Sequence, residues 1–189
     1  MPDLYSGQEA HGEMKEFLLF ELDGELYAVT IADVDQVMKI PPVTRVPNAP
    51  ESIVGMFHLR GKVIVVLDLL KRLHLTRTKP IVPNYLFVTH LQKNFFAVIV
   101  DRMKTVVRIP AREVSLVDPI IEARIPPRYA KGMFMYTEAA PQIAEKNIPD
   151  IMITPQSDEV APVPSENNVR PVLWLNIEEV LDQEDLLHL

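Results

Sequence analysis

The chain contains no cysteine. That excludes disulfide bridges, thiolate metal sites and a cysteine nucleophile, and it fits a cytoplasmic protein. No apolar run approaches the ~20 residues that a membrane-spanning helix requires. The first fourteen residues lack a basic region followed by an apolar one, so no secretion signal and no direct membrane insertion are expected. Basic residues are outnumbered, 19 against 26 acidic ones, and they form no cluster. An acidic chain without a basic patch is a poor nucleic-acid binder. Catalytic motifs are missing as well. The histidines at 11, 58, 74, 90 and 188 show no metal-ligand spacing. Gly55 and Gly61-Lys62 frame five residues rather than the four of a phosphate loop, and Val63 stands where a hydroxyl would hold magnesium. No catalytic residue, cofactor or metal is therefore expected.

What the chain does have is a repeated pattern of short apolar runs, punctuated by 17 prolines. Residues 55–69, GMFHLRGKVIVVLDL, show the unit most clearly. Gly61 permits positive φ, so 59–62 reads as a tight turn between two strands. Residues 63–67 are β-branched and uncharged, as suits a strand buried on both faces. Asp68 opens a short helix in which Leu69, Leu70 and Leu73 share a face. Parts of the unit recur. Residues 27–41 and 96–110 align at a constant offset of 69, with Ala28/Ala97, Val29/Val98, Val37/Val106, Ile40/Ile109 and Pro41/Pro110 identical. Gly55-Met56-Phe57 returns as Gly132-Met133-Phe134, and Leu67-Asp68-Leu69 with Leu73 returns as Leu175-Asn176-Ile177 with Leu181. Chance likeness of apolar strands is the alternative, but the matches keep their order. Two related β-subdomains are expected, about 30–84 and about 85–175, with the N-terminal hairpin and a C-terminal helix closing the structure.

Asp23-Gly24 and residues 92–94 mark hairpin turns. Residues 32–38 suggest one helical turn leading into a strand, 43–46 a short strand, and 51–54 a further helical turn. Asp33, Asp35 and Asp101 read as solvated turn acids rather than a catalytic pair. Residues 137–170 differ from the rest. They hold five prolines and six acids against Lys146 and Arg170, which reads as a long acidic insertion before the last strand. Arg60, beside its glycine, is either a surface residue of a turn or a functional one.

Together these motifs resemble CheW-like domains. Residues 17–31 are similar to the family's opening hairpin. Residues 43–69 resemble its central motif, in which Asn-Leu-Arg-Gly precedes a buried strand and Asp-Leu. Residues 96–101 resemble the start of its second half. The resemblance covers about 16–136 and 171–183. It implies an all-β fold of two pseudo-symmetric five-stranded barrels (SH3/OB-like), within one domain spanning 16–183. It implies a non-enzymatic adaptor that couples a CheA-type histidine kinase to the cytoplasmic tips of methyl-accepting chemoreceptors, recruited to their membrane arrays. Carried onto this chain, Val34, Leu59, Arg60 and Val98 are the expected receptor-binding residues. Ile40, Val43, Arg45, Gly55 and Phe57 are the expected kinase-binding residues. His58 replaces the family's usual Asn, Gln36 a common Glu and Leu70 a common Arg, and the insertion is long. Those departures keep open an orphan module of a non-flagellar chemosensory system, such as twitching motility, that binds another regulator.

Overall fold

The computed structural model describes residues 13–117, 124–137 and 169–181. Among these, ten strands form two five-stranded sheets. In chain order the strands are β1 (Met14–Leu22), β2 (Glu25–Thr30), β3 (Gln36–Lys39), β4 (Ile53–Leu59), β5 (Lys62–Asp68), β6 (Tyr85–Leu91), β7 (Asn94–Val100), β8 (Arg102–Pro110), β9 (Ala130–Thr137) and β10 (Val169–Leu175). Two short helices follow β5 and β10: α1 (Leu69–Arg72) and α2 (Ile177–Leu181). The first barrel has the order β3-β6-β7-β5-β4 and the second the order β8-β1-β2-β10-β9.

The repeated units exchange their hairpins. The first unit, β1 to α1, gives β1 and β2 to the second barrel and β3, β4 and β5 to the first. The second unit, β6 to α2, does the reverse. Register follows the 69-residue offset. Leu18 lies opposite Val106 and its equivalent Phe87 lies opposite Val37. The parallel pairs also correspond, with Tyr27 beside Leu173 and Phe96 beside Val65. The fold is all-β as expected, but the chain is not divided between the barrels at residue 84. Residues 85–100 belong to the first barrel, and the sheets part at the crossovers 31–35 and 101. A linear reading cannot show this, because the apolar pattern is the same whichever barrel a hairpin joins.

The exchange explains why the hairpin strands are apolar on both faces. Successive side chains of a strand point to opposite faces. Phe17 and Leu19 pack inside the second barrel with Leu26, Ala28, Phe134 and Val172. Leu18, Phe20 and Leu22 face the other way, into a central core shared with Phe87, Phe96, Val98 and Val100. Leu86, Val88 and Ala97 fill the first barrel with Phe57, Ile64 and Val66. Each buried Val, Leu or Phe side chain contributes roughly 1.5–3 kcal/mol, so the junction is held as firmly as the barrels themselves.

Each barrel is closed by one backbone bridge. Thr44, past β3, exchanges two hydrogen bonds with Met56 of β4, at 2.9 and 2.8 Å. Ser115, past β8, does the same with Met133 of β9, at 2.8 and 3.0 Å. The repeated glycines sit beside these bridges for a steric reason. A Cβ at Gly55 would strike the Thr44 carbonyl oxygen and come within 2.6 Å of Val43 Cγ1; one at Gly132 would lie 2.9 Å from the Ser115 oxygen. Local differences from expectation are small. Residues 31–33 form a 3-10 turn and Val37 and Met38 lie in β3. Ile53 and Val54 begin β4 instead of ending a helical turn. The span 43–46 contributes only the bridge at Thr44. The acidic insertion joins neighbouring antiparallel strands, since Thr137 lies opposite Val169; residues 138–168 lie outside the described residues.

Candidate functional site

The β4–β5 hairpin turns through Arg60 at φ 50° and Gly61 at φ 80°. Positive φ at both central residues is what a two-residue hairpin requires for its strands to twist together. The turn leaves Arg60 exposed and Leu59 half-buried on the first barrel's core. Lys62, the next residue, places its Nζ 3.7 Å from the centre of the Phe95 ring. β5 and β7 run parallel, Ile64 beside Phe95, so both strands start at this end of the barrel. The Phe95 ring lies 6.0 Å from that of His90. His90 Nδ1 lies 2.9 Å from an Asp35 carboxylate oxygen. Asp35 belongs to the first crossover and donates its backbone N–H to Val88 at 2.8 Å. Val34 precedes it, half-buried against the central core.

The structure therefore brings Val34, Leu59 and Arg60 to one end of the first barrel, linked through Lys62, Phe95, His90 and Asp35. Val98 does not join them at the surface. It is 0% exposed within the central core, opposite Phe87. The expectation of a direct contact from Val98 is corrected, because β7 is a central strand covered on both faces.

The five residues expected on the kinase face all lie along the closing seam of the first barrel. Ile40 donates its N–H to Asn84 and packs half-buried on the barrel core. Val43 adjoins the Thr44 bridge, and Arg45 beyond it is exposed. Gly55 and Phe57 are buried, Phe57 only 6% exposed. Those two shape the seam from within and cannot themselves be touched from outside. A partner at the seam would meet Arg45, the edges of Ile40 and Val43, and the half-buried Val54 and Met56.

The opposite end of the molecule holds what sequence reasoning missed. Asp101 is not a solvated turn acid. Its side chain is fully buried and accepts two hydrogen bonds from Arg77, at 3.0 and 2.8 Å. It also accepts the Asp23 backbone N–H at 2.6 Å. The Asp23 carboxylate in turn accepts from Thr78 Oγ1 at 2.6 Å and from the N–H groups of Thr78 and Lys79. The linker 76–84 thus leaves the first barrel, is tied to the second barrel's hairpin turn, and returns to the first. The bond from Thr78, before those from the two backbone N–H groups, holds the Asp23 carboxyl below its ordinary 3.8. Arg77 is pushed further up, chiefly by its hydrogen bond to Asp101. Gly24 turns at φ 85°, a conformation that favours glycine, and its nearest neighbour is the movable Lys79 ammonium. An acid directly after the run 96–100 was the available signal. It misled because a buried carboxylate and a turn acid look alike until the arginine is placed.

At the first crossover, burial raises the Asp33 carboxyl above 3.8, with Lys131 opposing the shift. The ring hydroxyl of Tyr27 is pushed up to about 12 by burial. Among the described residues no cluster of side chains could hold a metal ion, and no helix is long and apolar enough to cross a membrane.

The CheW-like domain family matches this chain over residues 16–185. The chain belongs to that family. Among its CheW relatives, the chemotaxis protein CheW of Helicobacter pylori is 32% identical over 120 residues, which cover 62% of this chain and 69% of the relative. The chemotaxis protein CheW of Treponema pallidum is 29% identical over 107 residues, 54% of this chain and 63% of that protein. The match thus spans less than two thirds of the Treponema protein. The crystal structure of the scaffolding protein TtCheW from Thermoanaerobacter tengcongensis shares the fold, with a TM-score of 0.65 at 20% identity over 96% of both chains.

Proposed function

We propose that this protein is a non-enzymatic chemotaxis adaptor that couples a CheA-type histidine kinase to chemoreceptors. One observation supports the site assignment: Val34, distant in sequence from Leu59 and Arg60, lies at the same end of the first barrel, linked to them through the Lys62–Phe95–His90–Asp35 chain. That end is the receptor face. The closing seam, with Arg45, Ile40 and Val43 at its surface, is the kinase face, where the kinase's CheW-like regulatory domain docks. Both faces lie on one rigid barrel, so an adaptor can hold two proteins at a fixed relative orientation without any chemistry of its own. Family membership over residues 16–185 supports the role. The protein stays outside the bilayer and joins the array through its receptor partner.

The test is reconstitution. The purified chain, the receptor signalling fragment and the kinase from the same genome are mixed and autophosphorylation is measured. Kinase control that depends on both the chain and the receptor is the expected result. Kinase activity indifferent to the chain, together with no recovery of kinase or receptor on the chain from a native lysate, overturns the proposal.

A further inference from the structure

The 69-residue offset makes the two ends of the molecule comparable residue by residue. At the strapped end the body supplies acids, Asp23 and Asp101, and the segment lying across it supplies the Arg77 guanidinium and the backbone N–H groups of Thr78 and Lys79. At the receptor end the equivalent positions are Gln92 and Ala32, neither of which brings a negative charge. The equivalent of Gly24 is a lysine, Lys93. Lys93 is exposed on the β6–β7 turn, and the parallel pairing of β5 and β7 sets that turn beside Lys62 and Arg60. Neither Lys62 nor Lys93 has a carboxylate partner among the described residues. On the second barrel, Arg108 lies 2.6 Å from Glu16 and the half-buried Lys104 3.4 Å from Glu21. The acids of the first crossover are otherwise engaged, Asp35 by His90 and Asp33 half-buried near Lys131. The charge arrangement of the strap site is inverted here.

We infer that the receptor end takes an acidic segment of its protein partner, gripped by Lys62 and Lys93, in the place that the basic strap takes at the other end. This rests on the adaptor reading and names the chemistry of its receptor face. Phe95 acts as a positioning residue: its ring holds the Lys62 ammonium at 3.7 Å, so the charge is oriented before the partner arrives. Opposed charges across such a face steer encounter and select partners more than they add affinity, and their effect fades with salt.

The experiment uses the full chain and the chemoreceptor signalling fragment from the same genome, with affinity measured at low and high salt. The unmodified chain should bind more weakly at high salt. Lys62→Glu and Lys93→Glu should each weaken low-salt binding about tenfold, and less at high salt, with melting temperatures unchanged because both side chains are exposed. Replacing a glutamate of the fragment by lysine should restore binding to Lys62→Glu. Unaltered affinity of both variants at both salts overturns the inference and leaves the adaptor reading standing. No binding by the unmodified chain overturns both. A short DNA duplex held more tightly than the fragment, and released by the two reversals, assigns the lysines to nucleic acid and overturns the inference as well.

Discussion

At one end of this molecule Asp23 and Asp101 bind a segment of the chain itself; at the other, Gln92 and Ala32 occupy the same places in the repeat, and Lys62 and Lys93 have no carboxylate partner among the described residues. Both ends have a hairpin turn, a crossover between barrels and the start of parallel-paired strands. Among the described residues, the linker between the two repeats lies at the first of these two equivalent sites. Duplication thus gives two ends of a single design that carry different residues. Proteins of this architecture can keep the first for rigidity and change the second for recognition.

The largest effect is expected in what the two ends share, the central core. Phe87→Ala should cost about 3–5 kcal/mol and its equivalent Leu18→Ala about 2–5 kcal/mol. Unfolding should stay a single transition in both, because the exchanged hairpins make each barrel depend on the other. Trp174, the sole tryptophan, packs 5.2 Å from Phe17 in the second barrel and reports on it separately. Chemical denaturation followed by tryptophan fluorescence and by circular dichroism should give coincident curves. Separate midpoints in Phe87→Ala would show that the barrels unfold independently.

The strapped end comes next. Asp101→Ala removes the acceptor of both Arg77 nitrogens and of the Asp23 N–H, leaving donors in a mostly buried site. A loss of about 2–4 kcal/mol is expected from such a deletion. Ala32→Asp, the reciprocal change at the exposed end proposed for the receptor, should alter stability by less than about 0.5 kcal/mol. Equal effects of the two would erase the contrast between the ends.

A smaller effect follows from acid. The folded Asp23 carboxyl titrates below its ordinary 3.8, so its contribution is complete above that value and is lost as pH falls through the lower, folded one. The Thr78 and Lys79 amides, which donate to it, should therefore shift together in NMR spectra only below pH 3.8. A common midpoint at or above 3.8 would mean that the strap is not held by this carboxylate. The smallest stability effect is expected at the receptor turn. Arg60→Gly relieves a positive φ that costs a non-glycine residue about 1 kcal/mol but adds a similar loss of chain entropy. Melting temperature should hardly move while receptor binding falls. A large destabilisation with intact binding would return Arg60 to a purely structural part.

Residue patterns revealed the units but not how they interlock. The hairpin at Asp23-Gly24, the turn at Arg60-Gly61 and the strand at 63–67 were legible because turn chemistry and apolar runs leave local signatures, although Val63 is 49% exposed and Val65 only half-buried. The paired glycines at 55 and 132 were visible as a repeat, although their reason, a carbonyl oxygen from across the seam, was not. The exchange of hairpins was hidden, since Leu86 or Phe17 is equally apolar in either barrel. Of the candidate site, Arg60, Leu59 and Val34 were placed from motif position and do converge. Val98 and Phe57 shared that motif logic and are buried, because sequence likeness marks positions that matter without separating those that touch a partner from those that shape the surface beneath it. Asp101 and its arginine were lost because the pair spans 24 residues and no local rule joins them.

The interlocking also dictates a timetable for synthesis. All five strands of the first barrel have been synthesised once residue 100 is made. The hairpin β1–β2, made before every other described strand, pairs with β8 and with β10, whose last residue is 175. At translation speeds of 5–20 residues per second the intervening stretch of about 75 residues takes roughly 4–15 s. For that interval a nascent chain carries a finished barrel and beside it a hairpin with one apolar face still bare. A ribosome pause before residue 169 would lengthen that exposure, and a chaperone that recognises extended apolar chain would find its target in a hairpin made early rather than in the newest residues.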